Sequence, residues 1–259
     1  DLIKQEVQLL EYLRQCGLEM GIVPTLFYHG PFNDGYLMVS APLDDQRAPS
    51  DILLTQRHFD VLRELARRKG PHQMLDILLQ LQQRVDAMRD YLSDTWYQRL
   101  SKALQAVMAV PDVQTLPTTL AHGDFTPWNL RVNQHTGQLA IFDWEHGRRS
   151  QMLLWDAFHF KTQVDLLVRR RDAETSVATT IAEVMHSPLV QDWQLSRAQI
   201  QALYVGYVVD ASLQWFEDRQ MMPHVVPHED MAQDRRGQMI DIGTEALAHY
   251  TAVEEYKSA

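Results

Sequence analysis

His122-Gly123-Asp124-Phe125-Thr126-Pro127-Trp128-Asn129, followed after a short polar stretch by Ile141-Phe142-Asp143-Trp144-Glu145, decides how this chain reads. Leu130-Arg131-Val132 and Leu139-Ala140-Ile141-Phe142 are short β-prone runs, and Asn133-Gln134-His135-Thr136-Gly137 between them has the polar, Gly-ended chemistry of a hairpin turn. A pairing centred near Thr136 sets Asn129 opposite Asp143, and directly opposed residues in an antiparallel pair hold their Cβ atoms about 4.5–5.5 Å apart. An amide oxygen and a carboxylate then converge on one point, which suits a hard cation such as Mg²⁺. Asp124 precedes Asn129 on a loop that Pro127 stiffens and keeps from becoming helical, so it can face the same point without joining the hairpin. An aspartate, an asparagine and a second aspartate so arranged are what phosphoryl transfer needs: a base that orients a hydroxyl, and two metal ligands.

These segments resemble a known family. His122-Gly123-Asp124 with Asn129 is similar to the H-G-D-x-x-x-x-N catalytic loop of the aminoglycoside phosphotransferase and choline kinase-like enzymes, and Asp143-Trp144-Glu145 to their metal-binding D-x-[DE] segment. Leu153-Leu154-Trp155-Asp156-Ala157-Phe158 resembles the segment that follows, where a family aspartate braces the active-site loops. The spelling H-G-D-F-T-P-W-N is closer to bacterial members of uncertain substrate than to characterised antibiotic kinases. The resemblance implies Asp124 and Asn129 as catalytic, Asn129 and Asp143 as metal ligands, Asp156 as a brace, and His122 as a structural hydrogen-bonding partner of the metal-loop backbone. It also implies Mg²⁺ with ATP or GTP as cofactors and a small-molecule hydroxyl acceptor as the partner.

The residues alone leave two other classes open. An H-x-D with a downstream aspartate also occurs in metal-dependent phosphoesterases, where water is the nucleophile, and a non-catalytic kinase-like binding module is the second alternative. Trp128 and Trp144 read as packing residues, with Trp128 also a candidate for touching substrate, as is Glu145.

Composition narrows the setting. The 259 residues are 45% hydrophobic and 22% charged, enough for a sizeable core in two lobes. One cysteine, Cys16, excludes an internal disulfide framework and favours a reducing, cytoplasmic compartment. No apolar run approaches the roughly 20 residues of a membrane span, and no signal-peptide pattern is present. The net charge of −10 argues against non-specific nucleic-acid binding and is compatible with a cationic acceptor such as an amino sugar or amino alcohol, although acidity for solubility accounts for it as well. Arg169-Arg170-Arg171 is the only dense basic run and reads as a solvated helix end. The oligomeric state is not legible.

Outside the motif, Ile3, Val7, Leu10 and Leu13 recur at helical spacing ahead of Gly17, and two strands follow around Asn33-Asp34-Gly35. Ser40-Ala41-Pro42-Leu43 reads as a linker, which in the family is the hinge that hydrogen-bonds the adenine. No Gly-rich loop and no strand lysine precede Glu6, the helix carboxylate at the position of the family's phosphate-site ion pair. The small lobe therefore reads as incomplete, with Glu6 lacking its partner and nucleotide affinity weakened. Helices are expected over 50–69, 74–91, 94–108, 173–186, 196–219 and 229–256. Asp210 interrupts the apolar run Tyr207-Val208-Val209 and Ala211, so it must be paired or functional, and it is the best single candidate in an acceptor pocket between the catalytic loop and the C-terminal helices. Glu217 and Asp218 are weaker ones. The expected architecture is a kinase-like, two-lobed α+β fold: an incomplete small lobe over 1–43, and a mainly helical lobe over 44–259 that carries the catalytic hairpin.

Overall fold

The computed structural model describes residues 2–18, 22–41, 47–221 and 231–258. Helix α1 (Leu2–Gln15) buries Val7, Leu9, Leu10 and Leu13, one apolar stripe at the 3.6-residue period. It ends where Gly17 adopts φ +67° and Leu18 N–H reaches back to Leu13 O, a left-handed cap that a Cβ would disfavour. The hairpin of β1 (Leu26–Phe32) and β2 (Gly35–Ser40) packs against this helix, turning at Asn33, itself left-handed.

The remainder contains short strands set among long helices. β3 (Arg47–Pro49), α2 (Gln56–Ala66), β4 (Lys69–Gln73), α3 (Met74–Ala87) and α4 (Asp94–Met108) come first, then β5 (Pro117–Ala121). The hairpin strands β6 (Leu130–Asn133) and β7 (Leu139–Ile141) follow, and then β8 (Arg148–Gln151) and α5 (Trp155–Gln163). A π-helical turn, Val164–Val168, leads to α6 (Ala173–Met185), α7 (Pro188–Trp193), α8 (Arg197–Met221) and α9 (Met231–Ser258). Among the described residues the strands form the sheets β1-β2, β3-β6-β7 and β4-β5-β8, all antiparallel.

The helical bundle forms for the reasons its sequence implies. In α4 the Ser93 hydroxyl caps the Trp96 N–H, and Trp96, Leu100, Ala103, Leu104 and Val107 form one buried stripe. In α3 the Asp76 carboxylate caps the Gln73 N–H, and Met74, Ile77, Leu78, Leu81 and Val85 face inward. These two helices pack on α8, whose residues 200–210 are buried on every side, and α9 closes over α4 and α8. Each fully buried Leu or Phe contributes about 1.5–3 kcal/mol by leaving water.

Several strands add to the stretch after residue 44 expected to be mainly helical apart from the catalytic hairpin. Lys69–Gln73, placed at a helix break, is a strand, and it meets β5 and β8 through a polar seam. There Thr118 Oγ1 donates to His72 O and lies 2.8 Å from Ser150 Oγ, which accepts the His72 N–H. The arginine run also differs: Arg169 and Arg171 turn to the fully buried carboxylate of Asp165, which Thr179 also bonds, so two of the three guanidiniums neutralise an internal charge. Among the described residues no helix is long and apolar enough to cross a membrane.

Candidate active site

The catalytic-loop segment leaves β5 at Ala121 and is gripped at once by the first turn of α5. Asp156 is buried; its Oδ2 accepts the His122 N–H (2.8 Å) and its Oδ1 the Gly123 N–H (3.0 Å). Burial pushes this carboxyl up to about 7, against the pull of the two N–H groups. Gly123 has φ +83°, and a Cβ there would overlap the backbone carbonyl of His146, so glycine alone lets the loop pass this close to the β7–β8 connection. His122 is fully enclosed and pushed down to about 4 by burial, hence neutral at pH 7. Its Nδ1 accepts the Asp124 N–H (3.2 Å), so the ring proton sits on Nε2, which donates to Phe142 O (3.0 Å). One neutral imidazole thereby ties the Asp124 backbone to the strand end before Asp143, and its ring packs edge-on against the buried Trp144.

Asp124 and Asn129 come together. Asn129 is buried, and its Nδ2 donates to Asp124 Oδ2 (2.8 Å) and to Asp124 O (3.1 Å). Both donor bonds point one way, which leaves the amide oxygen as the group Asn129 offers elsewhere. The other Asp124 oxygen, Oδ1, accepts from His159 Nε2 on α5 (2.9 Å). Burial is the largest single influence on the Asp124 carboxyl and raises it, but the His159 hydrogen bond together with the electrostatic pull of His159, His122 and His146 outweighs it, and the group is held below the usual aspartate value, ionised at neutral pH.

The hairpin register is half a residue away from expectation. Leu130 pairs with Ile141 and Val132 with Leu139, and Phe142 N–H donates to Asn129 O, so Asn129 stands opposite Phe142 rather than Asp143. The turn explains the shift. Asn133 Oδ1 accepts both the His135 and Thr136 N–H groups, and Asn133 closes on Gln138, so the loop is the four residues 134–137 and its centre precedes Thr136. Asp143 then leaves the strand in a left-handed conformation, φ +67°, which breaks strand alternation at the residue after the pair. Among the described residues no group of three His, Cys, Asp or Glu side chains is arranged to hold a metal alone. One carboxylate and one amide oxygen are instead the hard-oxygen donor set that Mg²⁺ takes when it keeps waters and shares phosphate oxygens, so Asn129 and Asp143 fit that ion.

Other candidates fall in different places. Glu6 is not without a partner: its Oε1 accepts the Trp144 N–H (3.1 Å), so α1 holds the Asp143-Trp144-Glu145 segment directly, and burial raises its carboxyl. Trp144 is a core residue with its Nε1 on Ile141 O, whereas Trp128 is 41% exposed and lies outside the core. Glu145 lies 3.5 Å from His146 Nε2. Ser40 ends β2 opposite Leu26, Ala41 N–H bonds Thr25 O, and Leu43 lies outside the described residues. Asp210 is no free pocket carboxylate: Arg84, Arg148, Gln151 Nε2 and Trp155 Nε1 all donate to it, and Arg84 also binds Glu217. It is the buried hub that joins α3, β8, α5 and α8. Asp218 is raised by burial, with His146 opposing. His159 did not emerge from the sequence; its one signal is its spacing, three residues after Asp156 and so on the same helical face.

With this geometry in place, the family is decided by the match of residues 1–153 to the model of the phosphotransferase enzyme family, APH. The chain belongs to that family. No curated protein matches this phosphotransferase. Its fold is that of solved kinase-like phosphotransferases. The choline kinase LicA from Streptococcus pneumoniae matches with a TM-score of 0.56 at 15% identity, over 94% of this chain and 80% of that one. A thermostable mutant of aminoglycoside phosphotransferase APH(4)-Ia in its apo form gives 0.59 at 15% identity, over 95% and 84%. A ternary complex of such a mutant with ADP and hygromycin B gives 0.58 at 13% identity, over 90% and 80%. At these identities the likeness is one of fold.

Proposed function

We propose that this phosphotransferase is a small-molecule kinase that moves the γ-phosphoryl group of Mg-ATP or Mg-GTP to a hydroxyl of an amino sugar, amino alcohol or other sugar-like acceptor. The observation that carries the reading is the joined pair Asp124 and Asn129, an ionised carboxylate locked to an amide on a loop whose backbone Asp156 grips at two N–H groups. Asp124 accepts a hydrogen bond from the acceptor hydroxyl, orients its oxygen toward the γ-phosphorus and takes up its proton. Asn129 Oδ1 and the Asp143 carboxylate would hold Mg²⁺, which would supply positive charge to neutralise the nucleotide phosphates. Because phosphoryl transfer has a loose transition state, catalysis is mostly positioning and charge neutralisation, and this chain supplies both through a loop that cannot rotate freely. Residues 1–43 act as a small lobe, with Ser40, Ala41 and Leu43 as the adenine-side hinge. Glu6 acts on the metal segment through the Trp144 N–H.

A cationic acceptor is compatible with the net charge of −10 and with Glu145 and Asp218, whereas Glu217 is taken up by Arg84. The solved relatives include a choline kinase and a hygromycin B complex, both of cationic compounds. The test is a screen of ADP and GDP release by wild-type protein with Mg²⁺ and choline, kanamycin, hygromycin B or glycerol. Nucleotide release that rises with an amino-bearing alcohol supports the reading. Phosphate release from a simple phosphomonoester, with neither nucleotide nor acceptor required, replaces it with a phosphoesterase.

A further inference from the structure

We infer that His159 is the positioning residue for Asp124, setting the rotation of its carboxylate from α5 so that the unshared lone pairs face the acceptor hydroxyl. The inference rests on the kinase reading of Asp124. Its geometry begins with a degree of freedom: the terminal torsion of an aspartate is broad, so one hydrogen bond alone does not fix the carboxylate plane. Asp124 has two anchors, Asn129 Nδ2 on Oδ2 and His159 Nε2 on Oδ1, and two anchors on different oxygens define that plane.

His159 is itself held in place. Its ring stacks on Trp155 with centroids 4.7 Å apart and planes within 13°. The Trp155 indole N–H in turn donates to Asp210, the carboxylate that Arg84, Arg148 and Gln151 surround. Tyr207 meets the other edge of the imidazole, its hydroxyl 3.5 Å from Nδ1, and burial keeps that phenol protonated. A phenol that donates toward Nδ1 and a carboxylate that needs a donor at Nε2 both favour the same tautomer, with the proton on Nε2. His159 also shares a face of α5 with Asp156. The one helix therefore holds the loop twice, by its backbone at His122 and Gly123 and by its functional side chain at Asp124.

The experiment has two arms on the full-length protein. The first needs no ligand: long-range ¹H–¹⁵N spectra of histidine-labelled protein identify His159 by loss of its signals in His159→Gln. The expected result is an Nε2–H tautomer whose Nε2 and proton resonances shift in Asp124→Asn, and resonances unchanged by Asp124→Asn overturn the contact. The second arm measures ADP release from Mg-ATP with water as acceptor. His159→Met, close in size but without a donor, should lower kcat about 10–100-fold with KM for Mg-ATP within about 2-fold, the scale of loss for a misplaced reacting group. His159→Gln, whose amide nitrogen can occupy the Nε2 position, should recover most of that loss. If Met matches wild type, or Gln falls as far as Met, the positioning role is wrong. A wild type that releases no nucleoside diphosphate with water or with any acceptor of the screen, beside an intact His159–Asp124 contact in the spectra, removes the kinase reading instead.

Discussion

Gly123→Ala separates conformational strain from steric exclusion, because the chain contains its own control. Gly123 and Gly137 both have positive φ, +83° and +71°, but an added Cβ at Gly137 meets open space whereas at Gly123 it enters the His146 backbone carbonyl. A left-handed non-glycine residue costs about 1–2 kcal/mol, partly offset by the stiffer unfolded chain, and this applies at both positions. Only Gly123→Ala adds the overlap. The carbonyl belongs to backbone between Asp143 and β8, so relief requires moving that connection or pulling the Gly123 N–H off Asp156, at a further cost of about 1–3 kcal/mol. The expected losses are about 1 kcal/mol for Gly137→Ala and about 2–5 kcal/mol for Gly123→Ala, read from urea midpoints with unchanged slope. Equal losses at the two glycines would refute the close approach of the catalytic loop to His146.

Two further outcomes are expected. Asp143→Ala should abolish Mg-dependent nucleotide binding more severely than Asn129→Ala, since an anionic oxygen neutralises the cation while an amide only fills a coordination position; calorimetry with Mg-ADP reads the difference, and equal binding by Asp143→Ala and wild type removes Asp143 as a ligand. His58 and His122 are both pushed down to about 4 by burial, whereas the unfolded imidazole titrates near 6.5. The unfolded chain therefore takes up protons that the folded chain refuses, so the stability from each neutral histidine is fully present above pH 6.5 and is lost as pH falls toward 4, by about 3 kcal/mol apiece. Urea titrations at pH 7, 5.5 and 4.5 should show that His58→Gln, which can keep a bond to Ser50 or Thr55, reduces this slope; a variant as acid-sensitive as wild type contradicts it.

What could be read from the sequence follows how local each determinant is. The helices were legible because capping residues and apolar stripes lie within one segment, as in α4 with Ser93 and Leu100, and so was the kinase-like α+β fold, through three segments in fixed order. The short strands were not: Lys69–Gln73 and Arg148–Gln151 are polar and carry no strand pattern, and they pair only because β5 lies between them. The hairpin register turned on the Asn133 side chain capturing two N–H groups, which moved the turn centre and set Asn129 against Phe142. Asp210 was recognisable as a carboxylate in need of partners, but Arg84 and Arg148 lie far away in sequence, and its role as a hub emerges only from packing. The partnerless reading of Glu6 and the packing reading of Trp128 differ from the structure for separate reasons. Glu6 accepts a backbone N–H where a lysine was sought, and Trp128, although aromatic, is partly exposed on its turn. His159 needed the helix α5 to be drawn before its place beside Asp156 carried meaning.

The most direct test of the account follows the γ-phosphorus itself. Phosphorus NMR of Mg-ATP with wild-type protein and the best acceptor from the screen should show the γ resonance replaced by a phosphomonoester of that acceptor. Asp124→Asn should form the same product about 10²–10⁴-fold more slowly, the usual loss for a positioned acid–base group, while binding Mg-nucleotide as wild type does. Transfer by Asp124→Asn at the wild-type rate would contradict the central claim that Asp124 orients the attacking hydroxyl.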